Sequence, residues 1–112
     1  MSMKKTLPLL LVAALAAVIL GTTASAQNSA TFKAAMVSDT GNINDKSFNH
    51  LSKLGLDKAH RVLGAQTHVF ISNSASDYLP NYTAAARQGY QAIVATGFLL
   101  GADMDTAATQ FP

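Results

Sequence analysis

The chain has 112 residues, 12% of them charged and 49% hydrophobic, with no cysteine and a formal net charge of +2. Without cysteine it holds neither a disulfide framework nor a lipid-accepting thiol. Once Lys4 and Lys5 are set aside as part of a leader, six basic residues face six acidic ones, and this balance, with no cluster of Lys and Arg, excludes a nucleic-acid binder.

The chain opens with Lys4 and Lys5, runs apolar over 7–20 and turns small and polar over 21–26. This is the three-part layout of a secretory signal, and Ala24-Ser25-Ala26 places the cleavage before Gln27. The alternative, a membrane anchor, needs about 20 apolar residues, whereas this run is shorter and Pro8 interrupts its start. The expected product is exported, periplasmic or cell-surface, and its mature part begins at Gln27.

An apolar run over 32–37 that stops at Ser38-Asp39-Thr40-Gly41 predicts a buried strand entering a turn. Apolar residues then recur at Phe48, Leu51, Leu56, Ala59, Val62 and Leu63, near the 3.6-residue period, and predict an amphipathic helix over 47–63 ended by Gly64. Asp45 is the expected N-cap, its carboxylate accepting from amides of the first turn. A second strand is expected over 67–72 and a polar loop over 73–77. A helix over 79–88 follows, with Pro80 tolerated only near its start and Gly89 as the stop. A third strand over 92–95 and a third helix over 99–110 complete the reading.

Strand and helix alternate three times with short connections, which predicts a Rossmann-like α/β layout, a parallel sheet flanked by helices joined through right-handed crossovers. In such a sheet ligands bind beyond the carboxyl ends of the strands, which nominates the loops 38–45, 72–77 and 96–98. No repeat, long charge run or low-complexity linker divides the chain after Gln27.

The first loop is the most informative. A dinucleotide fold would place G-x-G-x-x-G there, but only Gly41 is present, and no phosphate-loop pattern occurs anywhere. Asp39 would repel a phosphate, whereas its carboxylate accepts from hydroxyls or amines, so neutral polyols, nucleosides or cations fit better. Phe48 offers an aromatic face to a flat base, and Asn49 offers one donor and one acceptor to its edge. By periodicity alone Phe48 reads as a core residue of the helix. The histidines His50, His60 and His68 are not spaced as a zinc set, the stretch 39–50 lacks the acids of a calcium loop, and no G-x-S-x-G elbow is present. No metal, cofactor or catalytic residue is expected.

Asp39-Thr40-Gly41, Asp45-Lys46-Ser47-Phe48-Asn49, Asp77-Tyr78, Pro80-Asn81, Gln88-Gly89-Tyr90 and Gly97-Phe98-Leu99, in that order, resemble the basic membrane protein family. The resemblance covers most of the chain after Thr31. It implies a type I periplasmic binding protein with two Rossmann-like lobes, serving an ABC importer, of the kind that captures purine nucleosides. It further implies that Asp39 and Asn49 hydrogen-bond the base, that Phe48 stacks on it, and that Gly97 and Phe98 line the cleft, with a turn glycine and a core aromatic as the plainer reading of those two. The expected partners are a small ligand and a permease in the cytoplasmic membrane. Residues 27–112 correspond to the N-terminal part of such a protein, a truncated first lobe without the second. Two other readings stay open: a receptor for a sugar or signalling molecule, and a fragment of an exported Rossmann-like enzyme.

Overall fold

The run Lys33-Ala34-Ala35-Met36-Val37-Ser38 forms the central strand, and its last four residues are all buried, as a strand covered on both faces requires. The computed structural model describes residues 30–112, so the leader and cleavage site read at 1–26 lie outside the described residues. Strands β1 (Lys33–Ser38), β2 (Gln66–Phe70) and β3 (Ala92–Thr96) alternate with helices α1 (Phe48–Leu63), α2 (Tyr78–Arg87) and α3 (Gly101–Gln110). Short 3-10 turns at Ala75–Asp77 and Phe98–Leu100 precede α2 and α3. The sheet order is β2-β1-β3 and both pairings are parallel, with Val37 opposite Phe70 and Ser38 opposite Thr96. The α/β expectation is met, with boundaries moved by one or two residues.

The main core lies between the sheet and helices α2 and α3. It joins Ala35, Val37 and Phe70 of the strands to Tyr78, Tyr82, Ala85, Leu100 and Ala107. Fully burying a side chain as large as Leu100 stabilises by about 1.5–3 kcal/mol. Met36, on the same strand, points to the opposite face and is also fully buried.

Helix α1 ends as its sequence demands: Gly64 takes a left-handed φ of 68° and donates its amide to the His60 carbonyl at 3.1 Å. Its buried face differs from the expected one. Of the expected stripe Leu56 is buried but Phe48, Leu51, Val62 and Leu63 are exposed, while Asn49, outside the stripe, is buried. The period was legible but its phase was not: one residue along a helix turns the face by about 100°, and the contact face is centred near Asn49 rather than Phe48.

Tyr82 sits in the α2–α3 interface with 2% of its surface exposed and its hydroxyl unpaired. Burial, then the charge of Asp103 and the nearby Tyr78, push that hydroxyl up to about 12. An unfolded tyrosine titrates near 10. The folded state therefore keeps a proton that the unfolded state releases, so this contribution is present below about pH 10 and is lost as pH rises through about 12. Tyr82→Phe is expected to remove that alkaline loss. Urea midpoints at about pH 9 and about pH 11.5 check this, the variant's falling less between the two than the parent's.

Candidate functional site

Four buried polar residues occur among the described ones, Ser38, Asn49, Ser72 and Thr96. Ser38 and Thr96 end β1 and β3, Ser72 follows β2, and Asn49 is the second residue of α1. All four therefore stand at the carboxyl edge of the sheet, where the topology predicts a ligand site.

Just beyond that edge, the Ser38–Thr96 pairing brings Asp39 and Gly97 side by side. Gly97 has φ 122°, which side-chain-bearing residues rarely adopt, and a Cβ there would stand 2.5 Å from Asp39 Oδ2. On its other oxygen, Asp39 Oδ1 accepts from the Gly41 amide at 2.8 Å and from Asn49 Nδ2 at 2.7 Å. Asn49, 2% exposed, thus spends a donor on Asp39, and its own Oδ1 is buried without a hydrogen-bond partner.

The loop that carries Asp39 is built by its own side chains. Asp39 Oδ1 accepts from Gly41, Asn42 Oδ1 from Asn44 at 2.8 Å, and Asp45 Oδ1 from Ser47 at 2.7 Å. Three Asx turns in series fold the segment, each satisfying an amide that no strand or helix reaches. The expected capping role of Asp45 is corrected here: Ser47 is the N-cap residue, and the Asp45 carboxylate closes the turn before the helix instead.

A cavity of about 690 Å³ opens at this point, lined by Asp39, Phe48, Ser52, Thr96, Gly97 and Phe98 together with Val94, Ala95 and Leu99. Phe48 is 70% exposed and Phe98 98% exposed, so neither is the core aromatic that periodicity also allowed. The structure brings Asp39, Phe48, Gly97 and Phe98 to one cavity, with Asn49 behind Asp39. Sequence reasoning missed Ser52, and it reached Gly41 and Thr96 only as members of the nominated loops 38–45 and 96–98. The D-x-G spacing of an Asx turn was a further signal for Gly41; nothing in the sequence marked the Thr96 hydroxyl as buried and unpaired.

The loop 72–77 does not line this cavity. Its groups are engaged locally: Asp77 Oδ2 accepts from the Asn73 and Ser74 amides, Ser72 donates its amide to Ser38 Oγ at 3.1 Å, and Asn81 Nδ2 donates to Ser72 Oγ at 3.0 Å. A larger cavity of about 780 Å³ lies between α2, α3 and the outer edge of β3, lined by residues such as Tyr82, Ile93, Met104 and Phe111. It has no charged side chain to orient a ligand, so the strand-tip cavity is the better candidate. The three histidines stand apart in different roles, His60 Nδ1 with the Ala65 carbonyl at 2.8 Å and His68 edge-on to Phe70. Among the described residues no group of three metal-ligating side chains converges, and no helix is long and apolar enough to cross a membrane.

Comparison with known proteins places this geometry in context. Residues 32–112 match the family described as ABC transporter substrate-binding protein PnrA-like. A nucleoside-binding protein of an ABC transporter in Lactococcus lactis is 39% identical over 84 residues, covering 71% of this chain and 24% of that protein. A lipoprotein of Pyrococcus furiosus is 32% identical over 81 residues, covering 71% of this chain and 20% of the relative. A solved ABC transporter solute-binding protein from Aeropyrum pernix superposes with a TM-score of 0.66 at 30% identity, over 72% of this chain and 22% of that one. The chain thus spans about a quarter of the length of the curated relatives it matches.

The Asn49–Asp39 hydrogen bond joins a buried amide to a carboxylate, the stronger kind, worth about 1.5–3 kcal/mol. Asn49→Ala is expected to lower the unfolding free energy by an amount in that range, measured by urea titration, whereas Asn42→Ala, which breaks only an exposed Asx turn, is expected to cost under about 1 kcal/mol.

Proposed function

The chain belongs to the family of PnrA-like ABC transporter substrate-binding proteins, and we propose that it forms part of the first lobe of a type I receptor that captures a purine nucleoside outside the cytoplasmic membrane and hands it, unaltered, to an ABC permease. The observation that carries this reading is the pairing of two chemistries in one cavity. Phe48 and Phe98 expose aromatic rings, and Asp39 presents a carboxylate whose Oδ1 is already bonded and whose Oδ2 accepts no hydrogen bond from the described residues.

An exposed ring at a cavity favours a flat partner, since stacking a base on an aromatic side chain is worth about 1–3 kcal/mol. A carboxylate oxygen beside it calls for a donor on the edge of that partner. A nucleobase with an N–H or amino group satisfies both; a sugar supplies donors without an extended flat face, and a phosphorylated ligand would bring a second negative charge to Asp39. The name of the Lactococcus relative, a nucleoside-binding protein, supports the same ligand class. Export fits the family, one of whose relatives, from Pyrococcus furiosus, is named a lipoprotein.

In a full-length version, isothermal titration is expected to detect inosine and adenosine but not free ribose, with the nucleoside recovered intact. Asp39→Ala and Phe48→Ala are each expected to weaken inosine binding roughly tenfold to a hundredfold, the loss of about 1.4–3 kcal/mol. Inosine carries its only base N–H at N1, so 1-methylinosine is expected to bind as weakly to the parent as inosine does to Asp39→Ala. Undiminished inosine affinity in the doubly substituted protein would falsify the nucleoside reading, and ribose binding as tight as inosine would favour a sugar receptor instead.

A further inference from the structure

From the space around the Asp39 carboxylate, we infer that Gly41 is a positioning residue for ligand capture: the absence of its side chain lets Asn49 and Asp39 meet, and so fixes which carboxylate oxygen faces the cavity. A Cβ on Gly41 would stand 2.8 Å from Asn49 Nδ2 and 2.8 Å from Asp39 Oδ1, the two atoms of a hydrogen bond that is itself 2.7 Å long. Contacts that short require something to shift, and the atoms nearest a side chain at 41 are the two that form this hydrogen bond, so the pair is what moves.

On its other side the carboxylate fills the space that a Gly97 side chain would take: a Cβ there would stand 2.5 Å from Oδ2 and 3.1 Å from the Asp39 Cβ. The Asn49 side chain is buried, and the hydrogen bond found for its Nδ2 among the described residues is the one to Asp39 Oδ1. The carboxylate therefore occupies space that two glycines leave open, with Oδ1 bonded to the Gly41 amide and Asn49, and with Oδ2, which accepts no hydrogen bond from the described residues, left for a ligand donor. Gly41 touches no ligand in this scheme; it acts through Asp39.

Of the two glycines, Gly41 is the cleaner probe. Its φ is not in the left-handed region, whereas Gly97 at φ 122° would suffer backbone strain on top of collision. The inference rests on reading the strand-tip cavity as the ligand site, and a double-mutant cycle separates the two. In a full-length version, Gly41→Ala is expected to weaken inosine binding about tenfold when Asp39 is present and less than about twofold on top of Asp39→Ala, because the group it displaces is then gone. A ligand-free readout accompanies it: the Asn49 side-chain amide protons are expected to exchange slowly in the parent and faster in Gly41→Ala. Equal losses of inosine affinity in both backgrounds, or unchanged Asn49 exchange, would overturn the positioning role while leaving the nucleoside reading intact. Faster Asn49 exchange in Gly41→Ala, in a parent that does not bind inosine, would uphold the grip on Asp39 and sink the nucleoside reading alone.

Discussion

Where Ser38 pairs with Thr96, two parallel strands end at the same height, and the residues that follow, Asp39 and Gly97, are pressed together. A parallel sheet has no tight turn to relieve that crowding, since each strand must run on into a crossover. One of the two residues has to give up its side chain for the other to keep a carboxylate there. Gly97 does so, and its φ of 122° turns the chain away into the Phe98–Leu100 turn. A backbone constraint of the fold thereby becomes a fixed acceptor at the mouth of a cavity.

The apolar core and the strand-tip cavity lie at different ends of the same strands. Between the sheet and helices α2 and α3 the packing is apolar, with Val37, Phe70 and Leu100 at its centre. Towards the carboxyl edge the buried residues become Ser38, Ser72, Thr96 and Asn49, and hydrogen bonds take over from packing. The chain Asn81 to Ser72 to Ser38 ties α2 to the tips of β2 and β1, so the edge is held by directed bonds rather than by fill. Buried hydroxyls without a partner carry a cost, and Thr96 accepts that cost beside the cavity rather than within the core.

The order of elements was legible because each signal was local: the apolar run of β1, the left-handed Gly64 after α1 and Gly89 after α2 need no knowledge of neighbours. The five residues singled out for the site stand together, because the carboxyl-edge rule converts sequence positions after strands into spatial neighbours. What the sequence withheld was phase and partner. The apolar stripe of α1 at Phe48, Leu51 and Val62 has the right period, yet the side that meets the sheet depends on how the loop before the helix delivers its first residue. Likewise Asp45 has the residue type of a cap, but whether an Asp closes a turn or caps a helix depends on a register of one or two residues.

That register matters most at Phe48 and Asn49. They are adjacent, so α1 points them about 100° apart, one into the cavity and one beneath Asp39. A helix displaced by one residue in one direction would put the aromatic ring against the carboxylate, and in the other direction would put the amide at the cavity. The three Asx turns at Asp39, Asn42 and Asp45 recur every third residue up to Ser47, and each fixes the two residues after it. Together they meter the distance from the end of β1 to the first turn of α1. The polar loop thus sets the helix register, and the register decides which side chain faces the cavity and which one holds the carboxylate.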